Sequence, residues 1–333
     1  MPPAATHASL RPGDLVEVRP AAAILATLDA GGETEGIVFM PEMLPHLGRR
    51  YRVAQLALKI CYPPGNVNLK PGVVYLEDFR CDGTAHGACQ AECRFFWREE
   101  WLRRVEPGDA PTEALTDGLD ELAAVAAAHV RKPPAADGEE ATCWSCQATQ
   151  LGRASTPVPW TEPRQYLREV SCGNVSVSHF GRVVIGAVGR PVGRRLKLVD
   201  RLPTAGVDRV DGETLGLQAG ERVEVRSMEE IGRTLDAGGR HRGLTFTDEM
   251  AQYCGQQFVV RRRVERIVDE VSGRMLEFKK NACITLEDVI CTGDRATRVW
   301  FCRKDNYPYW REAWLRRVDP APSRPEKAET RDD

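Results

Sequence analysis

The chain contains one segment twice, and this duplication limits which folds it can adopt more than any other feature. Residues 13–53 and 220–260 carry matching motifs at a constant separation of 207 residues: GDLVEVRP and GERVEVRS, TLDAGG in both, FMPEM and FTDEM. Further along, VYLEDFRCDG matches ITLEDVICTG, and FFWREEWLRRVEP matches PYWREAWLRRVDP, with small insertions between them. We therefore expect two copies of one fold, at residues 10–107 and 217–320.

Comparison of the two copies pairs their cysteines. Cys81 corresponds to Cys291, and Cys93 is paired with Cys302, which leaves Cys89 without a counterpart. Glu42 also persists, as Glu249. Most persistent residues are those that a packed scaffold needs, because the residues of a functional site are few in any fold.

Each copy predicts several short strands and two short helices. LVEVR alternates apolar and polar residues as a half-buried strand does. A short helix follows, over AAAILATLD or MEEIGRTLD, and a second helical turn covers PEMLPHLG or DEMAQYCG. RYRVAQLALKI and GVVYLEDFRC then read as a hairpin, as do QFVVRRRVERIV and NACITLEDVIC, and WLRRV reads as a closing strand.

The GDxVEV opening and the WLxxV ending resemble those of SH3-like or KOW-type small β-barrels. The resemblance implies a mainly β chain with short helices, in which two SH3-like barrels flank a small cysteine-containing middle module. Such barrels bind nucleic acids or peptides, which is an analogy of fold only. MPEM, the CDG…HG.C…C run and WREEWL also resemble segments of a bacterial protein family, and no activity comes with that resemblance.

The other segments have their own character. Residues 108–140 predict one helix, over 112–130, and a polar linker. Residues 141–216 form the middle module, with a CWSC knuckle, a helical turn at PRQYLREV and strands at NVSVSHF and RVVIGAV. Residues 321–333 predict a disordered tail.

Composition narrows the class of protein. The formal net charge is −2, so no global excess of charge points to nucleic acid or to a membrane. No apolar run approaches the roughly 18 residues that span a bilayer, and the first residues do not resemble a signal peptide. The 11 cysteines are an odd number, which disfavours a pure disulfide framework and favours metal-bound or buried thiols in a cytoplasmic protein.

The strongest candidate metal site is in the first copy. Cys81, Cys89 and Cys93 fall within thirteen residues of a Gly-rich loop, and His86 is the first choice for a fourth ligand of zinc. Cys61 is the alternative fourth ligand. A hairpin of residues 51–60 with 73–80 would hold Cys61 more than roughly 20 Å from Cys81, which argues against it.

Two further sets of residues have weaker ligand spacing. In the middle module these are Cys143, Cys146, Cys172 and His179. In the second copy they are Cys254, Cys291 and Cys302. Because HExxH and HxE…PCxxC are absent from the sequence, a structural zinc fits better than a catalytic one. An iron–sulfur cluster on the same thiolates is the alternative, especially with Cys61 as a ligand.

A basic run offers a candidate surface for nucleic-acid phosphates. Its residues are Arg190, Arg194, Arg195, Lys197, Arg261, Arg262 and Arg263. The sequence thus predicts a non-enzymatic, zinc-stabilised binding or scaffolding protein whose partner is a protein or a nucleic acid. The alternative is a metal-dependent enzyme or an iron–sulfur redox protein that uses the cysteine clusters.

Overall fold

The structure is a computed structural model that describes residues 9–62, 65–106, 108–110, 116–132, 143–195, 210–278, 281–295 and 300–318. The predicted tail, 321–333, and linker residues 133–140 lie outside this range. Among the helices of the described segments, none combines the length and the apolar character that crossing a bilayer requires.

Short strands dominate the secondary structure. The strands of the first two thirds of the chain are β1 (Leu15–Val18), β2 (Glu33–Thr34), β3 (Ile37–Val38), β4 (Arg50–Leu56), β5 (Lys59–Tyr62), β6 (Gly65–Leu69), β7 (Val73–Leu76), β8 (Trp97–Arg98), β9 (Leu102–Arg104), β10 (Arg131–Lys132), β11 (Cys143–Trp144) and β12 (Ser155–Val158). Those of the last third are β13 (Arg222–Val225), β14 (Arg240–His241), β15 (Leu244–Thr245), β16 (Gln257–Val264), β17 (Arg266–Val268), β18 (Met275–Glu277), β19 (Cys283–Leu286) and β20 (Leu315–Arg317).

Most helices are short. They are α1 (Ala21–Leu25), α2 (Leu119–Val130), α3 (Gln147–Gln150), α4 (Arg164–Ser171), α5 (Val177–Arg195), α6 (Met228–Gly232) and α7 (Asp248–Ala251). The described residues also include 3₁₀ turns at Pro41–His46, Glu99–Trp101 and Glu312–Trp314. The short helices predicted in each copy are confirmed, and the helix predicted over 112–130 is present as α2 over Leu119–Val130, while residues 112–115 lie outside the described range.

The chain forms two compact units, and the boundaries of these units do not coincide with those of the two copies. Unit 1 consists of Met1–Arg201, Val264–Lys280 and Ile290–Tyr307. Unit 2 consists of Leu202–Arg263, Asn281–Val289 and Pro308–Asp333. Two segments of the second copy therefore fold with the first copy.

Unit 1 contains a five-stranded antiparallel sheet in the order β8–β7–β4–β1–β9. Val16 of β1 lies opposite Tyr51 of β4 on one side and Arg104 of β9 on the other. A β-bulge between Val53 and Gln55 interrupts the pairing of β4 with β7. The predicted pairing of β4 with β7 is thereby confirmed.

Unit 2 contains a sheet of the same design, in the order β19–β16–β13–β20. Val223 of β13 lies opposite Phe258 and Arg317, the counterparts of Tyr51 and Arg104. Within the described residues neither sheet closes into a barrel. The structure is thus mainly β with short helices, and the SH3-like barrel stays a prediction.

Tryptophans anchor the core of each unit. All four tryptophans of the closing motifs are fully buried: Trp97, Trp101, Trp310 and Trp314. The indole N–H of Trp101 donates to Thr34 Oγ1 at 3.0 Å, and that of Trp314 donates to Thr234 Oγ1 at 3.0 Å. Their burial shows that these aromatic residues pack the core, and the indole N–H finds a hydroxyl partner in Trp101 and Trp314.

Each copy has a cysteine loop, which we name cysteine loop 1 (residues 81–93) and cysteine loop 2 (residues 291–306). In both loops a glycine with positive φ contacts a cysteine backbone. A Cβ added to Gly83 would meet the carbonyl oxygen of Cys89 at 2.0 Å, and one added to Gly293 would meet the nitrogen of Cys302 at 2.6 Å. Cys302 thus corresponds to Cys89.

The hydrogen bond that closes each loop agrees with this correspondence. The N–H of Cys81 donates to the carbonyl of Cys93 at 2.8 Å, and the N–H of Cys291 donates to the carbonyl of Asn306 at 2.9 Å. The predicted pairing of Cys93 with Cys302 is therefore wrong, and the cysteine that the second copy lacks is the counterpart of Cys93. The insertion in the second copy precedes Cys302, which the short matching motifs did not reveal.

Within unit 1, each cysteine loop packs against the hairpin of the other copy. The N–H of Cys61, in hairpin β5–β6, donates to the sulfur of Cys302 at 3.1 Å. The N–H of Val268, in hairpin β17–β18, donates to the sulfur of Cys89 at 3.3 Å. Val268 follows Cys61 by the repeat separation of 207 residues, so the two contacts are equivalent.

Residues 143–195 of the middle module pair with both hairpins through their backbone. β12 pairs with β6, with Ser155 opposite Leu69. Cys143 forms an antiparallel bridge with Arg274, and the N–H of Trp144 donates to the carbonyl of Gly273 at 2.7 Å. Residues 143–195 of the middle module therefore belong to unit 1.

The prediction of two strands over residues 174–188 is wrong, because most of this segment is helix α5. Ser176 precedes the helix and caps it, because its hydroxyl accepts the N–H of His179 at 3.2 Å. Phe180 and Val183 share a helical face and pack with the buried ring of Phe301. Tertiary packing decides the outcome, since a short run of valine and isoleucine is compatible with either structure. The helical turn predicted at PRQYLREV is confirmed as α4.

Candidate metal centre

Cysteine loop 1 contains no helix or strand and is held by backbone geometry. Gly83 adopts φ +73°, a conformation that a side chain would strain. Asp82 Oδ1 accepts the N–H and the hydroxyl of Thr84 at 2.9 and 2.7 Å. The N–H of His86 donates to the carbonyl of Gly83 at 3.2 Å. These bonds fold the loop back, so that His86 faces Cys81.

Three potential ligand atoms meet beside this loop. Glu42, Cys81 and His86 each offer one atom, and these atoms lie within 4.8 Å of one another. His86 Nδ1 lies 3.0 Å from Glu42 Oε1, and His86 Nε2 lies 3.7 Å from Cys81 Sγ. Glu42 Oε1 also accepts the N–H of Ala85 at 3.1 Å. Of the described residues, no other three His, Cys, Asp or Glu side chains converge this closely.

Cys89 adds a second sulfur to the same imidazole. Its thiol forms a side-chain hydrogen bond with His86 and accepts the N–H of Val268. The side chains of His86 and Glu42 are each only 4% exposed. Cys81 and Cys89 are buried too. The cluster is therefore closed to bulk water.

Burial and hydrogen bonding oppose each other in this cluster. Burial disfavours the charged imidazolium, but the contacts of His86 with Cys81 and Cys89 and its ion pair with Glu42 outweigh burial and raise the pKa of His86. Burial raises the pKa of Cys81 more than its bond with His86 lowers it. For Cys89 the hydrogen bonds from His86 and Val268 outweigh burial and lower the pKa. Negative charge is thus stabilised at Cys89, the form that binds metal.

The donor set suits zinc. Zinc in proteins is bound by imidazole nitrogen, thiolate sulfur and carboxylate oxygen in tetrahedral geometry. Glu42 Oε2 is buried and has no hydrogen-bond partner, an unsatisfied group that a cation would neutralise. In a second arrangement Glu42 holds Nδ1 of His86 while Nε2 and the sulfurs bind the ion, as carboxylates often do behind metal-bound histidines.

Cys93, which the sequence predicts to be a ligand, does not belong to the closest group of ligand atoms. Its carbonyl closes cysteine loop 1, and burial raises the pKa of its thiol, helped by the charge of Glu270 and by the neighbouring Cys146. Cys146 precedes helix α3, and its sulfur accepts the N–H of Thr149. Cys93 and Cys146 thus flank the cluster without belonging to the closest group of ligand atoms.

The four predicted ligands of the middle module are not brought together. Cys143 lies on β11, and Cys146 borders the cluster of cysteine loop 1. The thiol of Cys172 donates to the carbonyl of Glu169 at 3.5 Å, and His179 Nε2 lies 3.0 Å from Asp294 Oδ2.

The predicted ligands of the second copy belong to different units. Cys254 lies in unit 2, where burial raises its pKa to about 11. Cys291 and Cys302 lie in unit 1. Cys302 contacts Cys61, so Cys61 is a neighbour of cysteine loop 2. A metal site of the second copy stays a prediction.

The predicted basic surface is described only in part. Lys197 lies outside the described residues, and so do the side chains of Arg190, Arg194 and Arg195. Arg261, Arg262 and Arg263 are consecutive on β16 of unit 2, so their side chains alternate between the faces of the sheet. Arg263 bonds Glu312 at 2.6 Å.

Glu42 is the residue of the cluster that the sequence reasoning missed as a ligand. It comes from the 3₁₀ turn at Pro41–His46, far from the cysteines along the chain. Two signals were present: the acid persists in the second copy as Glu249, and it stands among apolar residues in FMPEM. Both Glu42 and Glu249 have little contact with solvent.

The cluster is a buried group of side chains, most of them on cysteine loop 1, whose donor atoms suit zinc. Nothing in its geometry indicates one particular protein family. Comparison of the chain with models of protein families, with curated proteins and with solved structures finds no match in any of the three.

Proposed function

We propose that this chain is a non-enzymatic, zinc-stabilised binding or scaffolding protein that acts on a protein or nucleic-acid partner. The observation that carries the proposal is the cluster of Glu42, Cys81 and His86, with ligand atoms within 4.8 Å of one another. Cys89 supplies a further sulfur on the imidazole of His86. A Cys₂His set completed by Glu42 gives zinc four protein donors.

The closure of the cluster supports a structural role for the ion. A catalytic zinc keeps one position open for water or substrate. Here the side chains of Glu42 and His86 are 4% exposed, and the sulfurs of Cys81 and Cys89 are buried. A substrate would have to displace packed protein to reach the ion.

The local fold supports the same role. Cysteine loop 1 runs from Cys81 to Cys93 without a helix or a strand, so no regular ladder of backbone hydrogen bonds holds it. A metal that binds only the folded loop adds its binding free energy to the stability of the fold. The mixed N, O and S donors favour zinc over an iron–sulfur cluster, which takes mostly thiolates.

Metal analysis tests this proposal directly. We expect protein purified without a metal-affinity step to carry one colourless zinc ion at cysteine loop 1, and a chelator to lower its melting temperature. Cys81→Ser should lose this ion, whereas Cys172→Ser, a change at a half-buried thiol outside the cluster, should keep it. A brown chromophore with bound iron would support the redox alternative, and protein without metal would refute the proposal.

A Glu42→Gln variant separates the two arrangements of the centre. Glutamine can still accept the N–H of Ala85 and hold Nδ1 of His86. If Glu42 orients His86, zinc should remain with about 10- to 100-fold weaker affinity. If Glu42 is itself a ligand, the ion should be lost as it is from Cys81→Ser.

We expect the partner to be a protein rather than a nucleic acid. Large exposed apolar side chains occur in the middle segment, at Trp160, Leu167, Val177 and Ile185. Exposed apolar side chains are available to contact a protein, whereas they offer nothing that binds a phosphate. Retention of the full chain on DNA or RNA that weakens steeply with added salt would overturn the preference for a protein, because phosphate contacts release counterions.

A further inference from the structure

Two sulfurs that lie far apart in the chain meet in unit 1, outside the candidate metal centre. Cys61 belongs to hairpin β5–β6 of the first copy, and Cys302 belongs to cysteine loop 2 of the second copy, 241 residues later. The Cys302 side chain is buried, and Cys61 is partly exposed. This meeting follows from the reciprocal packing of the hairpins on the cysteine loops.

The Cys302 sulfur is surrounded by hydrogen-bond donors. It accepts the backbone N–H of Cys61 at 3.1 Å, and it also accepts the thiol of Cys61 and the backbone N–H of Lys304. The ammonium group of Lys304 adds positive charge nearby, and it is held by Glu270 at 2.6 Å. These donors all approach the Cys302 sulfur, so it is the better placed of the two sulfurs to act as a nucleophile. Two cysteine sulfurs in contact form the arrangement in which one cysteine reacts with an oxidant and the other resolves the product.

The equivalent place in the other copy cannot do this chemistry. The Cys89 sulfur accepts the N–H of Val268 at 3.3 Å, as Cys302 accepts that of Cys61. Valine has no sulfur, so Cys89 has no resolving cysteine in the hairpin. Only one of the two equivalent contacts therefore holds a pair of thiols.

We propose that Cys61 and Cys302 form a redox-active pair that a peroxide converts to an intrachain disulfide. The Cys302 sulfur gives up its proton and attacks one oxygen of the peroxide, the O–O bond breaks, and Cys302 becomes a sulfenic acid, while the departing hydroxide takes up that proton and leaves as water. The Cys61 sulfur then attacks the Cys302 sulfur, the S–O bond breaks, and the Cys61 proton leaves with the oxygen as water. The two thiols lose two electrons, which reduce hydrogen peroxide to two waters.

The disulfide would tie the hairpin of the first copy to the cysteine loop of the second. A bond that closes so long a loop restricts the unfolded chain strongly. Oxidation should therefore raise the melting temperature of the protein, and a thiol reductant should reverse the rise. The proposal does not depend on zinc at cysteine loop 1.

The test uses the full chain with its metal content measured before and after treatment. Hydrogen peroxide at a small molar excess, followed by alkylation and peptide mapping, should give one peptide that links Cys61 to Cys302. In Cys61→Ser a sulfenic acid should be trapped on Cys302 by dimedone, and in Cys302→Ser the Cys61 thiol should stay reduced. Cys172→Ser should form the same disulfide as the unchanged protein.

Three outcomes would overturn the inference. One is oxidation of the partly exposed Cys172 while Cys61 and Cys302 stay reduced. Another is a disulfide that links other cysteines. The last is a second metal ion that Cys302→Ser removes, which would make this sulfur a ligand. Loss of zinc from Cys81→Ser reports on cysteine loop 1 alone, so failure of either proposal can be recognised separately.

Discussion

Lys59 shows how a buried charge is held in this protein. Its side chain is only 1% exposed, its ammonium group donates to the carbonyl of Trp300, and it lies 4.3 Å from the centre of the Tyr166 ring. Burial lowers the pKa of Lys59 to about 8. Nearby, burial raises the pKa of Glu169 to about 6, although Asn174 donates to its carboxylate at 2.7 Å. Such a pair lowers stability when both groups are charged unless their contacts compensate.

Stability should therefore depend on pH through Lys59. Between about pH 8 and 10.5 the unfolded chain keeps a proton on this lysine that the folded chain has lost, so the free energy of unfolding should rise with pH. Replacing Lys59 with methionine removes this contribution, which amounts to about 3 kcal/mol. Urea unfolding of both proteins at pH 7, 9 and 10 measures it. Parallel pH profiles for the two proteins would contradict the prediction.

At the scale of elements, the cysteine loops depend on close approaches of the backbone. The two loops share positive φ at Ala88 and Phe301, and at Glu92 and Asp305, which follow the repeat. Non-glycine residues rarely adopt this conformation, so the rest of the loop must hold it. The insertion in the second copy leaves this geometry intact, because it falls before Cys302.

Gly83 should tolerate no side chain. An alanine there would combine strained φ with a Cβ 2.0 Å from the carbonyl oxygen of Cys89, so Gly83→Ala should cost about 3 kcal/mol or more. Gly13 is a matched control, with φ +91° and no atom within 4 Å of an added Cβ. Gly13→Ala should cost only the backbone strain, about 1–2 kcal/mol. Equal losses of unfolding free energy in the two variants, measured with urea, would show that the close contact with Cys89 does not add to the cost.

At the scale of the whole molecule, the two copies are not two independent domains. Segments Val264–Lys280 and Ile290–Tyr307 of the second copy complete unit 1. Besides the sulfur contacts, Arg94 pairs with Asp305 at 2.5 Å, and the N–H of Gln90 donates to the carbonyl of Arg266 at 3.1 Å. Unit 1 thus takes its stability from parts of the chain far apart in sequence.

A chain cut after residue 216 should therefore fail to form unit 1. We expect residues 1–216 alone to lack a cooperative thermal transition, because their hairpin and cysteine loop would lose their partners. Co-expression with residues 217–333 should restore a folded complex, which serves as the control. A sharp transition from residues 1–216 alone would mean that the first copy folds independently.

The sequence by itself determined the duplication, the short strands and helices of each copy, and the candidate ligands Cys81, His86 and Cys89. These features are local: they depend on alternation, on glycine at turns and on close spacing in the chain. Tertiary structure decided the role of Glu42, the partner of Cys61 and the helix at α5. Each of these features depends on residues that are distant in sequence. Glu42 bonds Ala85, 43 residues away, and Cys61 bonds Cys302, 241 residues away. Helix α5 packs on Phe301. The packing of each hairpin on the cysteine loop of the other copy could not be predicted from the sequence for the same reason. Because the two copies are similar, their sequences do not show which hairpin packs on which loop.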